Sequence, residues 1–244
     1  MQVSGARIED PLVRLSKRNL PASVLWSFLL LLWLFSSSSN ADVSCHGIDV
    51  VTNGASATDL TLVCEGVAKA QQFFQAHGLT LPRGISLYLH PGDISSQNNH
   101  IGIYNPAEAR IDLLTFARAH SLGKVFRSPM SRSLYVSFVV HELAHAVVDK
   151  QFASRAATRL AHEYIAYTAQ LSSLGEDEVH AIMRKYRLQG FQNLREISLL
   201  YYQLDPCAFG LKAYLHYRGI EDKPGFIRQL LDGKTALTIR PVNQ

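Results

Sequence analysis

The sequence predicts an α+β protein with strands in its first half and helices in its second. Short apolar segments that alternate with polar residues occur between residues 45 and 114, separated by turn-forming residues. A 3.6-residue apolar period occupies 58–77, and helical patterning continues from about residue 131 nearly to the end. Strands followed by helices are typical of the α+β class. With 47% hydrophobic and 18% charged residues among 244, the composition excludes a disordered or coiled-coil protein.

The N-terminus has the order of a secretory signal peptide. A basic stretch precedes the apolar run at 24–35, and small residues follow, with Ser39 and Ala41 at the spacing that a signal peptidase reads. We expect cleavage after Ala41, so that residues 1–41 are the signal peptide and 42–244 form a single exported domain, periplasmic or secreted. The alternative is a retained membrane anchor, for which the run is short of the roughly 20 residues that a spanning helix needs.

The charge pattern gives no indication of a nucleic-acid partner. The formal net charge is +4, and half of it lies in residues 1–41. The remainder has no dense Lys/Arg cluster with interleaved aromatic residues, which is the usual footprint of nucleic-acid binding. We expect contact with a membrane only if the N-terminal segment is retained.

Each element of the first half follows from a local pattern. Residues 58–77 predict a helix capped by Thr58 or Asp59 and ended by Gly78. A turn at 105–108 joins the last two strands. The strands are expected at 45–52, 85–90, 101–104 and 110–114.

The second half predicts a series of helices separated by breaks. Six positions interrupt the apolar period: Ala153, Gly175, Gly190, Pro206, Gly219 and Pro224.

Three cysteines follow the signal segment, so at most one intramolecular disulfide is expected. Export places them in an oxidising compartment. Cys45 and Cys64 are the favoured pair, because this bridge would join the first strand region to the first helix. Cys207 then stays free as a small buried apolar side chain.

The strongest chemical signal is His141-Glu-Leu-Ala-His145, an HExxH motif in an apolar segment without a helix breaker. Two histidines four residues apart lie on one helical face. Both rings can therefore reach one zinc ion at the about 2.0–2.1 Å that zinc–nitrogen bonds require. Glu142 lies beside them, where it can take a proton from a water molecule.

A catalytic zinc site usually has a third protein ligand. The available side chains are His162, Glu163 and His180. A turn near 152–155 would let the next helix fold back beside the first, which points Glu163 towards the metal. His162 is about 100° away on the same helix, so only one of these neighbours can face the ion. We favour Glu163, with His162 as the alternative.

The motif, together with Glu163 and the following Ala166, resembles the gluzincin metallopeptidases, the thermolysin-like clan with two histidines and one glutamate on zinc. The resemblance covers residues 80–235 in outline and 137–167 in specific motif. It implies a zincin-like fold: a small mixed sheet, then the active-site helix and a helical C-terminal half. It implies zinc ligands His141, His145 and Glu163, and an extended peptide substrate paired with an edge strand, at 101–104 or 110–114.

Gluzincins of the thermolysin type have an aspartate four residues after the ligand glutamate, where this chain has Tyr167. We therefore expect Asp149, or a backbone carbonyl, to orient a ligand histidine. A further donor should stabilise the oxyanion of peptide hydrolysis. Spacing does not choose among four side chains for this role: Tyr201, Tyr202, Tyr214 and His216.

The sequence thus predicts a zinc-dependent peptidase that acts on a peptide or protein substrate. The first alternative is a catalytically inactive zincin-fold binding protein of the cell envelope. The second is a helical envelope protein in which the HExxH motif is accidental.

Overall fold

The computed structural model describes residues 43–52, 54–95, 100–151, 158–235 and 237. They form a small mixed sheet followed by helices, so the α+β prediction is confirmed. The predicted signal peptide, its cleavage site and the break near Ala153 lie outside the described residues. No helix within the described ranges is both long and apolar enough to cross a membrane.

The sheet has five strands in the order β1-β2-β3-β5-β4. Strands β2, β3 and β5 are parallel, while β1 and β4 run antiparallel at the two edges. Of the two strands proposed as the substrate edge, β4 is the edge strand and β5 is internal. The bounds are β1 Val43–Cys45, β2 Ile48–Thr52, β3 Ser86–His90, β4 Gly102–Asn105 and β5 Arg110–Leu114.

The single strand expected at 45–52 is wrong, because the chain reverses there to form the β1–β2 hairpin. His46 and Gly47 make its two-residue turn, with φ values of 51° and 88°. Both residues at φ > 0 fit the type I′ turn that matches the twist of paired strands. The pair His-Gly predicts a two-residue turn less strongly than Asn-Gly does. Because the alternation of apolar and polar residues continues on both sides of it, the pattern predicted one strand.

The first helix, α1 (Ala57–Ala76), packs against the sheet and is capped by Ser56. Asp59 completes the capping box, so the cap lies two residues before the earlier of the two predicted positions. A disulfide joins Cys45 of β1 to Cys64 of α1, and Cys207 is free. Two short elements were not predicted: α2 (Phe116–Ser121) and a hairpin of β6 (Lys124–Val125) with β7 (Ser128–Pro129).

Six α-helices follow in the described part of the chain, with a 3-10 helix (Leu194–Glu196) between the third and fourth of them: α3 Arg132–Gln151, α4 Arg159–Ser172, α5 Glu176–Tyr186, α6 Leu199–Leu204, α7 Pro206–Arg218 and α8 Lys223–Leu231. The breaks predicted near Pro206 and Pro224 coincide with helix starts, because Pro206 is the first residue of α7 and Pro224 lies in the first turn of α8. A proline is tolerated there since the first backbone N–H groups of a helix have no intrahelical partner.

Helix α3 is the centre of the fold. It packs against α1 and α4, and β4 lies against it. Its apolar side chains Val136, Val139, Val140, Leu143 and Val147 are fully buried. Burial of each is worth about 1.5–3 kcal/mol. The helix that carries the HExxH motif is therefore held rigidly on several sides.

Candidate metal centre

Helices α3 and α4 bring three potential metal ligands together. His141 and His145 project from one face of α3, and Glu163 projects from α4, which packs directly against it. One ligand atom from each lies within 4.8 Å of the other two. His141 and Glu163 are both buried. The three residues could together hold a metal ion.

The separations of the donor atoms fit one small cation. Nε2 of His141 lies 3.2 Å from Nε2 of His145 and 3.8 Å from Oε2 of Glu163. Two nitrogens bound tetrahedrally at about 2.0–2.1 Å are about 3.3 Å apart. Two imidazoles and one carboxylate also leave a tetrahedral ion one position for water or substrate.

His141 is oriented by Gln170, which lies seven residues after Glu163 on α4. Nδ1 of His141 donates to Oε1 of Gln170 at 3.0 Å, which leaves the Nε2 lone pair free for a metal. The amide nitrogen of Gln170 donates in turn to Ser137 at 3.3 Å, and the Ser137 hydroxyl donates to the Leu134 carbonyl at 2.6 Å. Gln170 lies two helical turns after Glu163, and this spacing could have identified it in the sequence as the residue that orients His141.

The orienting role expected for Asp149 stays a prediction, since the hydrogen bond described for this residue joins it to strand β4. Within the described chain, Asp149 accepts a hydrogen bond from the Tyr104 hydroxyl at 2.8 Å, and Gln170 takes the place beside His141. Asp149 thus links the end of α3 to edge strand β4.

Edge strand β4 passes directly over Glu142. A Cβ atom at Gly102 would lie 2.6 Å from Cγ of Glu142, so only glycine leaves room for this side chain. The backbone N–H of Tyr104 donates to the Glu142 carboxylate. Because Leu114 N–H donates to Ile101 at 2.9 Å, the alternation of an antiparallel ladder turns the backbone groups of Gly102 and Tyr104 away from β5.

Burial has the largest effect on the pKa values of four side chains at the site: His141, His145, Glu142 and Glu163. It lowers the pKa of His141 to about 4, against a smaller opposing effect of Gln170, and it lowers that of His145 well below the ordinary value. Burial and the nearby Glu163 raise the pKa of Glu142 to about 8. Burial raises the pKa of Glu163 to about 7, opposed by Tyr202 and Arg159. Neutral imidazoles beside buried carboxyl groups form a site that a cation would stabilise.

Of the four oxyanion donors considered, the structure brings only Tyr202 to the site, where its hydroxyl bonds to Glu163. Tyr201 packs on Phe191, with ring centroids 6.0 Å apart. His216 makes a 2.7 Å hydrogen bond to the Tyr164 hydroxyl. Tyr214 lies beside Arg218 on α7. Tyr201, Tyr214 and His216 do not line the cavity around the triad, so the structure does not bring these three residues to the site.

The other two residues considered as third ligand lie outside the triad. His162 lines the cavity, and its ring stacks on that of His145 at 6.2 Å. His180 is exposed on α5 and does not line the cavity.

Tyr167 occupies the position where the resemblance implies an aspartate. Its ring lies 4.7 Å from the His141 ring, measured between centroids, and it packs against Gly210 of α7. Burial and the nearby carboxylates raise its pKa well above the ordinary value, so the hydroxyl stays protonated. Tyr167 therefore fixes the His141 ring by packing, a role that sequence analysis missed.

The triad opens into a cavity of about 790 Å³. Edge strand β4 contributes its backbone and side chains to the lining, and Arg159, Cys207 and Val125 also line it. This volume lies in the range of small-molecule and peptide side-chain sites.

Residues 50–240 match a family of unknown function, DUF6639, and the chain belongs to that family. No curated protein and no solved structure matches the chain.

Proposed function

We propose that this chain is a zinc-dependent peptidase of the gluzincin type with a zincin-like fold. The observation that carries the proposal is the position of Glu142. Its carboxyl group lines the same cavity as the possible ligands His141 and His145 and lies directly under edge strand β4. A proton acceptor close to both a possible metal triad and a strand edge is suited to the hydrolysis of an extended peptide by water.

His141, His145 and Glu163 would hold the ion. When bound, zinc would supply Lewis acidity to a carbonyl group and to a water molecule. Glu142 accepts the proton of the attacking water and delivers it to the leaving nitrogen. The N–H of Tyr104 keeps the Glu142 carboxylate in place.

The substrate of this peptidase would bind as an additional strand. The Tyr104 N–H is taken up by Glu142, but the N–H and carbonyl groups of Gly102 and the carbonyl group of Tyr104 are not paired with β5. An extended peptide can bond to them and cross the cavity above Glu142. Main-chain pairing accepts many sequences, so side-chain selectivity must come from the cavity walls.

We also propose that the protein is exported, on the basis of the basic, apolar and small-residue segments in 1–41. An exported hydrolase would meet peptides or proteins outside the cytoplasm.

The test is hydrolysis of a mixed peptide library by zinc-loaded protein, wild type beside Glu142→Gln. Glutamine retains the shape and can still accept from Tyr104, but it cannot take up a proton. We expect the variant to keep its zinc and lose hydrolysis. Glu65→Gln, an exposed change on α1, serves as the matched control and should leave both unchanged.

A second function, an inactive binding protein with the same fold, is favoured by one observation: Tyr167 replaces the acidic residue that the resemblance implies. If zinc-loaded wild type cleaves no peptide that Glu142→Gln spares, the peptidase proposal fails and this second function takes its place.

A further inference from the structure

The cavity has one strongly basic side chain in its described lining, Arg159 at the start of α4. The acidic side chains of the described lining are Glu142, Asp149 and Glu163. More than a third of Arg159 is exposed. The Arg159 guanidinium is exposed to the cavity and close to the metal triad, so it can contact a ligand that enters the cavity.

Arg159 is anchored beside the triad through Tyr202. Its guanidinium carbon lies 5.6 Å from the centroid of the Tyr202 ring, and the guanidinium also donates to the Tyr202 hydroxyl. That hydroxyl is bonded to Glu163. The arginine is therefore held by contacts on the side of the triad that carries Glu163, whereas β4 covers Glu142.

The guanidinium retains donors for a ligand. Arginine has five N–H groups in a planar fork, and the described contacts of Arg159 occupy only those directed at Tyr202. No carboxylate in the described part of the chain lies within 4.0 Å of it, although other arginines of this protein, such as Arg110 and Arg118, form such pairs. A partly desolvated arginine without a paired carboxylate is suited to bind one from solution, with two parallel hydrogen bonds.

We propose that Arg159 binds a carboxylate of the substrate, so that the site selects peptides with a free carboxylate close to the scissile bond. The proposal rests on the proposed peptidase function. One helical turn, about 6 Å along the axis, separates Arg159 from Glu163. An extended peptide advances about 3.3 Å per residue. The carboxylate would therefore lie within about two residues of the scissile bond.

Two groups carry this chemistry: the C-terminal carboxylate of a short peptide, and an Asp or Glu side chain within a longer one. The test measures binding of fluorescent alanine-based pentapeptides to full-length, zinc-loaded Glu142→Gln protein. Binding to this variant is read by fluorescence anisotropy and does not require turnover. One pair of peptides compares a C-terminal acid with its amide, and a second compares internal Glu with Gln in amidated peptides.

We expect at least one acidic peptide to bind tenfold or more tightly than its neutral partner. Adding Arg159→Gln should abolish the difference, and Arg159→Lys should retain only part of it, because lysine lacks the planar fork. Arg184→Gln, a change of the same charge at an exposed position outside the cavity, should retain all of it. Zinc content, measured for each variant, shows that the triad is intact.

The acid–amide pair tests binding of a C-terminal carboxylate, and the Glu–Gln pair tests binding of a side-chain carboxylate. Equal binding within both pairs, or a preference that survives Arg159→Gln, would overturn the proposal. If the wild type cleaves peptides without any such preference, the peptidase function stands and the role of Arg159 fails. If the preference depends on Arg159 but the wild type cleaves nothing, the carboxylate site stands and the peptidase proposal fails.

Discussion

His141 and Gln170 are joined by a 3.0 Å hydrogen bond that crosses from α3 to α4. The bond fixes the proton of His141 on Nδ1 and directs Nε2 towards His145 and Glu163. The geometry of the triad therefore depends on a neutral amide two helical turns beyond Glu163.

Gln170→Leu should weaken zinc binding about 10- to 100-fold, because it removes the acceptor that orients His141. Competition with a chromophoric chelator measures the change. Gln170→Glu retains an acceptor at the same place and should bind zinc more tightly than the leucine variant. Wild-type affinity in Gln170→Leu would show that the hydrogen bond does not orient the ligand.

Replacement of Glu163 and of its neighbour His162 should affect zinc binding differently. Glu163→Ala removes a donor atom 3.8 Å from Nε2 of His141 and should lower the affinity strongly. His162→Ala removes a ring that stacks on His145 and should lower it much less. The same chelator competition compares the two variants. If His162→Ala lowered the zinc affinity more than Glu163→Ala did, His162 and not Glu163 would be the third ligand.

Glu142→Gln should stabilise the metal-free protein at alkaline pH. The pKa of Glu142 is raised by burial from 4.5 to about 8, so between these values the folded state holds a proton that the unfolded chain has released. Stability contributed by this proton is present below pH 4.5 and is lost as the pH rises to 8. Glutamine has no charge to bury, so we expect a gain on the order of 2–4 kcal/mol at pH 8.

Urea unfolding of the metal-free wild type and Glu142→Gln, at pH 5 and at pH 8, measures this gain. The gain should be much smaller at pH 5, where the wild-type carboxyl group is protonated in the fold. Glu65→Gln controls for the loss of one exposed charge. A gain that is equal at the two pH values would show that it does not come from the buried charge of Glu142.

Gly210→Ala should destabilise the protein, although alanine is the better helix former by about 1 kcal/mol. The new Cβ would overlap Cδ1 of Tyr167, so α7 must shift or the tyrosine must leave its place against His141. Overpacking of this kind typically costs about 1–3 kcal/mol. Thermal unfolding measures the loss, and Gly92→Ala, which meets no atom within 4 Å, is the control. A more stable Gly210→Ala protein would refute the tight contact.

The sequence was sufficient for features that depend on local spacing. The i, i+4 relation of His141 and His145 places both on one helix face, and the alternating segment at 110–114 is a strand in the structure. The packing of α4 against α3 brings Glu163 beside the histidines, while the turn expected near 152–155 lies outside the described residues. These predictions need only helix geometry and a chain reversal.

Features that depend on tertiary contacts could not be predicted in this way. The approach of β4 to Glu142 requires Gly102, a glycine with no local signal. The bond between Tyr104 and Asp149 joins residues 45 apart in the chain. Tyr201, Tyr214 and His216 share helices with residues that reach the site, but packing turns them towards other partners.

Metal content tests the central claim most directly. The purified protein, supplied with zinc and then freed of excess ion, is analysed beside the double variant His141→Ala/His145→Ala. We predict one zinc per chain in the wild type and none in the double variant. Absence of zinc from both, in protein that is folded, would contradict the metal centre and with it the proposed peptidase.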